Sequence, residues 1–341
     1  MRNFAFDKAR TIAGAAASAG LVAEAMLAAD GGAHSADVRI VQAGGIDVID
    51  LMKEGLLAPM QVTGLRDVPG LDAITPAPDG GLRLGPMITL ANLAADATVR
   101  ELYPALADAA RESASPQIRN VATIGGNLLQ RPRCWYFRAA EFRCLRKGGG
   151  HCYAISGENQ YHAIFDNRFC AIVHPSTSAT ALVALGAEAE LTGGDGDQRR
   201  VALEDFFVGP DRDVQRENDL RPGEILTALL LPPASGLRMK HLKLAQKESF
   251  DWPLADVAVV LDLGQDGQCR RASVVLGAAA PTPRRARAAE SALGGKTIDA
   301  KVAAEAGRAA LEGATPLARN AYKAPIFEAL VRRAVLEAAS S

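Results

Sequence analysis

The sequence predicts an α+β protein. A two-part α/β unit spans residues 1–230 and carries a cysteine-rich insert at about 131–173. A small α+β domain follows at 237–341. Three observations carry this reading. A short apolar strand runs into Gly44-Gly45 and then into a helix. The insert lacks periodicity yet holds four of the chain's 5 cysteines. Beyond a Pro/Gly linker, three strand-like runs precede three helical ones.

At 341 residues the chain exceeds one ordinary core. It is 48% hydrophobic and 23% charged, with a net charge of −1, which fits a globular protein and argues against nucleic acid as partner. No stretch reaches roughly eighteen uninterrupted apolar residues, so no membrane span is expected. Asp7 and Lys8 interrupt the N-terminal apolar character, so no secretory signal is read there. The default location is cytoplasmic, with the periplasm open if a signal-bearing partner exports the chain.

Residues 9–29 are alanine-rich with Leu21, Val22, Ala25 and Met26 at helical spacing. VRIVQAGG is a strand and glycine turn, and IDVIDLMKEG is a helix closed by Gly55. The first part is divided from the second at residue 58. Short strands at 60–62 and 82–85 alternate with turns, and helices follow near 89–99 and 103–114. A helix at 178–186, a strand at 187–193 and the strand EILTALLLP complete the first unit. LPPASG is the linker. Strands near 238–246, 254–263 and 269–278 and helices near 283–293, 298–312 and 320–339 form the last domain.

Two glycine turns invite a diphosphate-bearing cofactor. Glycine lets backbone N–H groups approach phosphate oxygens, and a helix N-terminus adds free donors. Gly44-Gly45 taken alone is more often only a turn, and it is not the G-x-G-x-x-G fingerprint. Thr123-Ile124-Gly125-Gly126-Asn127 offers a hydroxyl, an amide and two glycines, and reads equally as a β-turn with a capping Asn.

Cys134, Cys144, Cys152 and Cys170 are separated by 9, 7 and 17 residues. Structural zinc normally shows one close cysteine pair, absent here. Iron–sulfur clusters tolerate more varied spacing. A cluster, zinc and a metal-free loop all stay open on spacing. Arg131, Arg133, Arg138, Arg143, Arg146, Lys147 and His151 surround the cysteines, where positive charge favours thiolates or forms a solvated face. Trp135, Tyr136 and Phe137 shield a cluster or anchor the insert. His174 is a group behind the ligands or a capping histidine. Cys269, in a strand, reads as an inert buried thiol.

These motifs together resemble the FAD-binding medium subunit of the molybdenum hydroxylases, the xanthine dehydrogenase family, over nearly the whole chain. The resemblance lies in Ile40 to Val48, Gln117 to Asn127, Phe206-Phe207-Val208-Gly209, Gly223-Glu224-Ile225-Leu226 and the segment around Lys243. NLLQRPRCWYF, a basic segment and Cys170-Ala171-Ile172-Val173-His174-Pro175-Ser176 look most like the insert of bacterial aldehyde oxidoreductases. They are also similar to the insert of the 4-hydroxybenzoyl-CoA reductase β subunit.

The resemblance implies a vanillyl-alcohol-oxidase/PCMH-like FAD domain followed by a domain of the CO dehydrogenase flavoprotein type. FAD would be held by Val41, Gln42, Ala43, Gly44, Gly45, Ile46, Asp47, Val48, Thr123, Ile124, Gly125, Gly126 and Asn127, with Thr177, Leu226 and Lys243 nearby. The four cysteines would bind a [4Fe–4S] cluster. Thr177 stands where the family commonly has Asp, and Asn320-Ala321-Tyr322-Lys323 replaces a Ser/Tyr/Arg-type motif. Implied partners are a molybdopterin-containing large subunit that oxidises the substrate and a [2Fe–2S] small subunit, in a heterotrimer. The chain itself passes electrons on to an acceptor that the sequence does not specify. Competing readings are a flavin-less zinc scaffold, a stand-alone flavin oxidoreductase and a hydroxybenzoyl-CoA reductase-type subunit.

Overall fold

In the computed structural model, the residues described are 2–22, 26, 38–247 and 250–340. Three sheets organise them. The first is parallel, in the order β1 (Ala5–Lys8), β3 (Gln61–Gly64), β2 (Arg39–Gln42). Parallel neighbours need a crossover, and α2 (Ile46–Lys53) supplies the one between β2 and β3. It buries Leu51 and Met52 against Ile40 and Val62. The central strand of this sheet therefore lies beyond residue 58, where the sequence divides the two parts. Of the expected helix at 9–29, α1 covers Ile12–Ala16, and residues 23–25 and 27–29 lie outside the described residues.

The second sheet is antiparallel, in the order β4 (Ile74–Pro76), β5 (Leu82–Leu84), β8 (Glu224–Leu231), β6 (Glu188–Gly193), β7 (Gln198–Ala202). Helices α3 (Leu90–Ala95), α4 (Ala97–Leu102), α5 (Pro104–Arg111) and α9 (Thr177–Leu185) share its core, with Tyr103, Leu106 and Phe206 fully buried. Every residue of α9 is buried. A helix apolar on all sides must be enclosed, and α9 packs on α5 and also on the third sheet.

That third sheet is antiparallel: β9 (Arg238–Ala245), β10 (Pro253–Leu263), β11 (Cys269–Gly277) and the short β12 (Arg284–Arg285). It is covered by α11 (Arg287–Leu293), α12 (Ala300–Ala309) and α13 (Lys323–Ala339). The three-strand, three-helix order expected from the sequence holds. Cys269 is fully buried in this core.

The insert contains little regular structure: α8 (Trp135–Arg138) and one 3₁₀ turn at Leu145–Lys147. Neighbouring domains nonetheless order it. Phe137 and Cys144 join the core of the first sheet. The N–H groups of Ile164 and Phe165 both donate to the Ala279 carbonyl. Asn320 Nδ2 donates to the carbonyls of His162 and Ala163 at 3.1 Å, and the fully buried Lys323 ammonium donates to His162 O at 3.2 Å. Asn320 and Lys323 thus hold the insert on the C-terminal domain.

A buried polar seam joins the second-sheet unit to the third sheet. His241 on β9 lies 3.5 Å from Asp256 on β10 and 3.5 Å from Glu112. A Cβ on Gly277 would stand 2.2 Å from the Asp256 carboxylate, so glycine at that position opens the space for it. Although burial disfavours its charge, the carboxylates of Asp256 and Glu112 on either side push the His241 pKa up to about 9. A histidine raised on folding stabilises fully below its unfolded value and loses that contribution as pH rises towards about 9. Lys323, lowered by burial to about 7, acts in the opposite sense over an overlapping range. The comparison of wild type with His241→Gln isolates the histidine. Its stability advantage should shrink by up to about 3 kcal/mol from pH 6.5 to 9.5, read from urea midpoints. A pH-independent difference would remove His241 as a charged latch.

Candidate functional site: two adjoining cavities

A cleft of about 500 Å³ runs between the first sheet, the second sheet and the C-terminal domain. Both glycine turns line it, through Val41, Ala43, Gly44, Gly45, Ile46, Asp47 and Val48 and through Thr123, Gly125, Gly126 and Asn127. Thr177, Leu226 and Lys243 line it as well. Of the expected flavin contacts, Gln42 and Ile124 are not on its wall. Ile124 is fully buried in the second-sheet core, and Gln42 props Gly45, whose added Cβ would lie 2.7 Å from Gln42 Nε2.

The two turns touch each other. A Cβ on Gly44 would meet the Val121 carbonyl oxygen at 2.2 Å. Gly45 has φ +82°, a left-handed conformation that favours glycine, and stands at the N-cap of α2. No side chain caps that helix. Its first N–H groups and dipole end therefore face the cleft ready for an anion.

The second turn differs. Its helix α7 (Ile124–Leu128) is capped by Thr123, whose hydroxyl accepts from the Gly126 N–H. The N–H groups of Ile124, Gly125 and Asn127 donate to Ile88, Pro86 and Thr123 carbonyls. Asn127 Oδ1 accepts from Ser176 Oγ at 2.6 Å. The backbone donors for a pyrophosphate thus sit in the first turn, while the second offers shape, the Thr123 hydroxyl proton and the Asn127 Nδ2. Thr177 forms inward bonds, its hydroxyl 3.1 Å from Ala109 O and 2.7 Å from Ser113 Oγ. Lys243 Nζ donates to Glu112 O at 2.9 Å and Asp251 O at 2.6 Å, and burial lowers its pKa.

Next to the cleft lies a second, small cavity. All four clustered cysteines line it, with Tyr136, Phe137, Arg146, Tyr153 and His162. The cysteines form no disulfide. Among the described residues no three His, Cys, Asp or Glu side chains converge as a single metal ion needs. The thiols instead ring a shared space. Burial pushes Cys134 up to about 12, whereas Cys170 is held down to about 6, first by a hydrogen bond from Cys152 and then by the Arg146 guanidinium. His162 Nε2 sits 3.2 Å from Cys134 Sγ, and burial lowers its pKa to about 4. His174 is not on this wall. It is buried, neutral, and its Nδ1 accepts from the Ser176 N–H at 3.4 Å.

The basic residues of the insert are placed otherwise than their sequence suggests. Arg133 and Arg138 turn to α2, where Arg138 Nη2 is 2.6 Å and Arg133 Nη2 2.9 Å from Asp47 Oδ1. The Arg131 N–H also donates to Asp47 Oδ2. Asp47, with Asp50 and Glu54, therefore ties α2 to the insert. Arg131 and Arg146 turn to Glu217. Among these basic residues Arg146 alone lines the cysteine cavity among the described residues. The aromatic triplet divides its work: Phe137 anchors in the core, Tyr136 and Phe137 wall the cavity, and Trp135 stacks edge-on to Tyr161 and His162. Glu217, His162, Trp252 and Arg216 are site residues that the sequence does not single out. His162, one of two histidines inside the insert, was the only local signal among them.

Comparison with known proteins places this geometry. Residues 16–234 match the family described as FAD binding domain in molybdopterin dehydrogenase, and residues 240–338 match the CO dehydrogenase flavoprotein C-terminal domain. The chain is 34% identical over 295 residues to the aldehyde oxidoreductase FAD-binding subunit PaoB of Escherichia coli K12, covering 86% of each chain. It is 28% identical over 306 residues to the nicotine 6-hydroxylase medium subunit of Paenarthrobacter nicotinovorans, covering 89% of this chain and 90% of that one. The solved structure of reconstituted CO dehydrogenase from Oligotropha carboxidovorans superposes with a TM-score of 0.73 at 26% identity, over 99% of this chain and 98% of that one. With both domains matched in order, and with a cleft built from the two glycine turns, the chain belongs to the family of FAD-binding subunits of molybdenum hydroxylase-type oxidoreductases.

Proposed function

We propose that this chain is the electron-carrying subunit of a molybdenum-dependent aldehyde oxidoreductase. It binds FAD in the cleft and a [4Fe–4S] cluster at Cys134, Cys144, Cys152 and Cys170. Its partners are a molybdopterin-containing large subunit and a [2Fe–2S] small subunit. It receives electrons from the small subunit and delivers them to an external acceptor. The observation that carries the reading is the pair of adjoining cavities, one walled by phosphate-type turns and one ringed by four cysteines. No described helix is long and apolar enough to cross a membrane.

The residues suit the two groups in different ways. The uncapped start of α2, with its free N–H groups and positive dipole end, would hold the diphosphate of FAD. Leu226, with the aliphatic stem of Lys243, offers an apolar wall with one cation. Four thiols on the wall of one cavity, with the Arg146 guanidinium beside them, are the donor set that a thiolate-bound cluster would use. When bound, FAD supplies both one- and two-electron transfer and a [4Fe–4S] cluster supplies one-electron transfer. The protein's share is to orient them, exclude water and set the surrounding charge. The aldehyde assignment rests on the similarity to the Escherichia coli subunit.

Purification from the native host tests this directly. The expected product is a three-subunit complex with flavin bands and a broad brown shoulder. It should contain iron and acid-labile sulfide in this chain after separation. A yellow chain with zinc and no iron would overturn the cluster assignment. A single chain that oxidises aldehydes alone would overturn the partner assignment.

A further inference from the structure

We infer that Glu217 sets the electron affinity of both cavities at once, through Arg131 on the cleft side and Arg146 on the cysteine side. One carboxylate oxygen serves both guanidinium groups: Glu217 Oε1 is 2.9 Å from Arg131 Nη2 and 2.6 Å from Arg146 Nη1. Arg131 and Glu217 line the cleft, and Arg146 lines the cysteine cavity. Both arginines are almost wholly buried, at 3% and 2% exposure. The inference rests on the two-cofactor reading above.

Two cations on one anion leave a net positive charge between the cavities. The pairing is rigid on all sides. Arg131 Nη2 also donates to Gln215 O, Arg146 Nη1 donates to Arg216 O, and the Glu217 carbonyl accepts from the Val208 N–H. Yet the charges are not fully satisfied. Among the described residues Arg131 Nε and Arg146 Nε are buried without a hydrogen-bond partner, while the Arg146 guanidinium also pairs with Cys170. Unpartnered cationic donors beside two cavities mark places where negative charge is accommodated.

Stability alone does not account for the triad. Buried ion triads are often no better for folding than apolar side chains of equal volume. Charge in a buried, poorly screened setting acts over several ångströms and on whatever lies on either side. An added electron in either cavity is favoured by the shared positive charge. Glu217 reduces that charge and fixes where it sits. It acts on both groups through the two arginines it holds, as a positioning residue.

The test is a potentiometric titration of the purified complex, with flavin followed by visible absorbance and the cluster by electron paramagnetic resonance. Glu217→Gln should raise both midpoint potentials. Arg131→Met and Arg146→Met should each lower both. The cross-effects are decisive: an arginine on the cleft wall must move the cluster, and the one on the cysteine wall must move the flavin. Where a variant that melts like wild type releases a cofactor, the same criterion applies to retention, with loss from the far cavity supporting the coupling. Variants that alter only the group in their own cavity, or alter neither potential, overturn the inference. A wild-type complex without iron would instead overturn the cofactor reading and the coupling with it.

Discussion

Serine at any one of Cys134, Cys144, Cys152 or Cys170 should strip this chain of most of its iron and acid-labile sulfide, while Cys269→Ser leaves both unchanged. The four thiols line one cavity, and Cys269 is packed in the core of the C-terminal domain. Ligands of one cluster act as a unit, and the binding free energy of such a group is folding free energy for the segment that holds it. The insert should therefore become protease-sensitive between Cys134 and Tyr161. Its far end should resist, because Ile164 and Phe165 are bonded to Ala279 and packed in the C-terminal core. Flavin retention should weaken too. The route is Asp47, held by Arg131, Arg133 and Arg138 from the insert while it starts the helix beneath the first turn. Iron, sulfide and FAD per chain across the five variants check this. Equal behaviour of all five would sink the ligand assignment.

Valine in place of Gly44 should empty the cleft of FAD. Its Cβ would lie 2.2 Å from the Val121 carbonyl oxygen, a backbone atom that cannot swing aside. The two turns would have to part, and the phosphate-facing start of α2 would move with them. Retention should fall at least a hundredfold, equivalent to about 2.7 kcal/mol. Gly45→Val should follow closely, because it adds the cost of a left-handed backbone, about 1–2 kcal/mol, to a clash with Gln42. Gly126→Val should be milder. Its nearest neighbours, Thr123 Oγ1 at 3.2 Å and Ala43 Cβ at 3.7 Å, are side-chain atoms that can give by the few tenths of an ångström needed, and the rest of the side chain crowds the cleft. The order Gly44, Gly45, Gly126 in flavin released, with the C-terminal domain still folded by circular dichroism, is the expected result. Stoichiometric FAD in Gly44→Val would show that the contact between the turns is dispensable.

While the short strands β1, β4, β7 and β12 went unread, local pattern in the sequence determined most of the longer strands and helices, the two glycine turns and the four clustered thiols. These follow from periodicity, conformational preference and residue chemistry, each of which acts over a few neighbours. Which groups those residues meet was decided only by tertiary structure. Arg131 and Arg138 read as one basic run with Arg146, yet Arg131 meets Glu217, 86 residues on, and Arg138 meets Asp47 of α2, 91 residues back. Glu217 sits in an ordinary polar stretch, and nothing local distinguishes it from Asp213 or Asp219. The second turn looked like a row of free donors, but its N–H groups were taken by Ile88, Pro86 and its own Thr123. A buried charge or donor must find a partner wherever the fold brings one. That partner is fixed by packing across the whole molecule, and short-range sequence pattern carries no record of it.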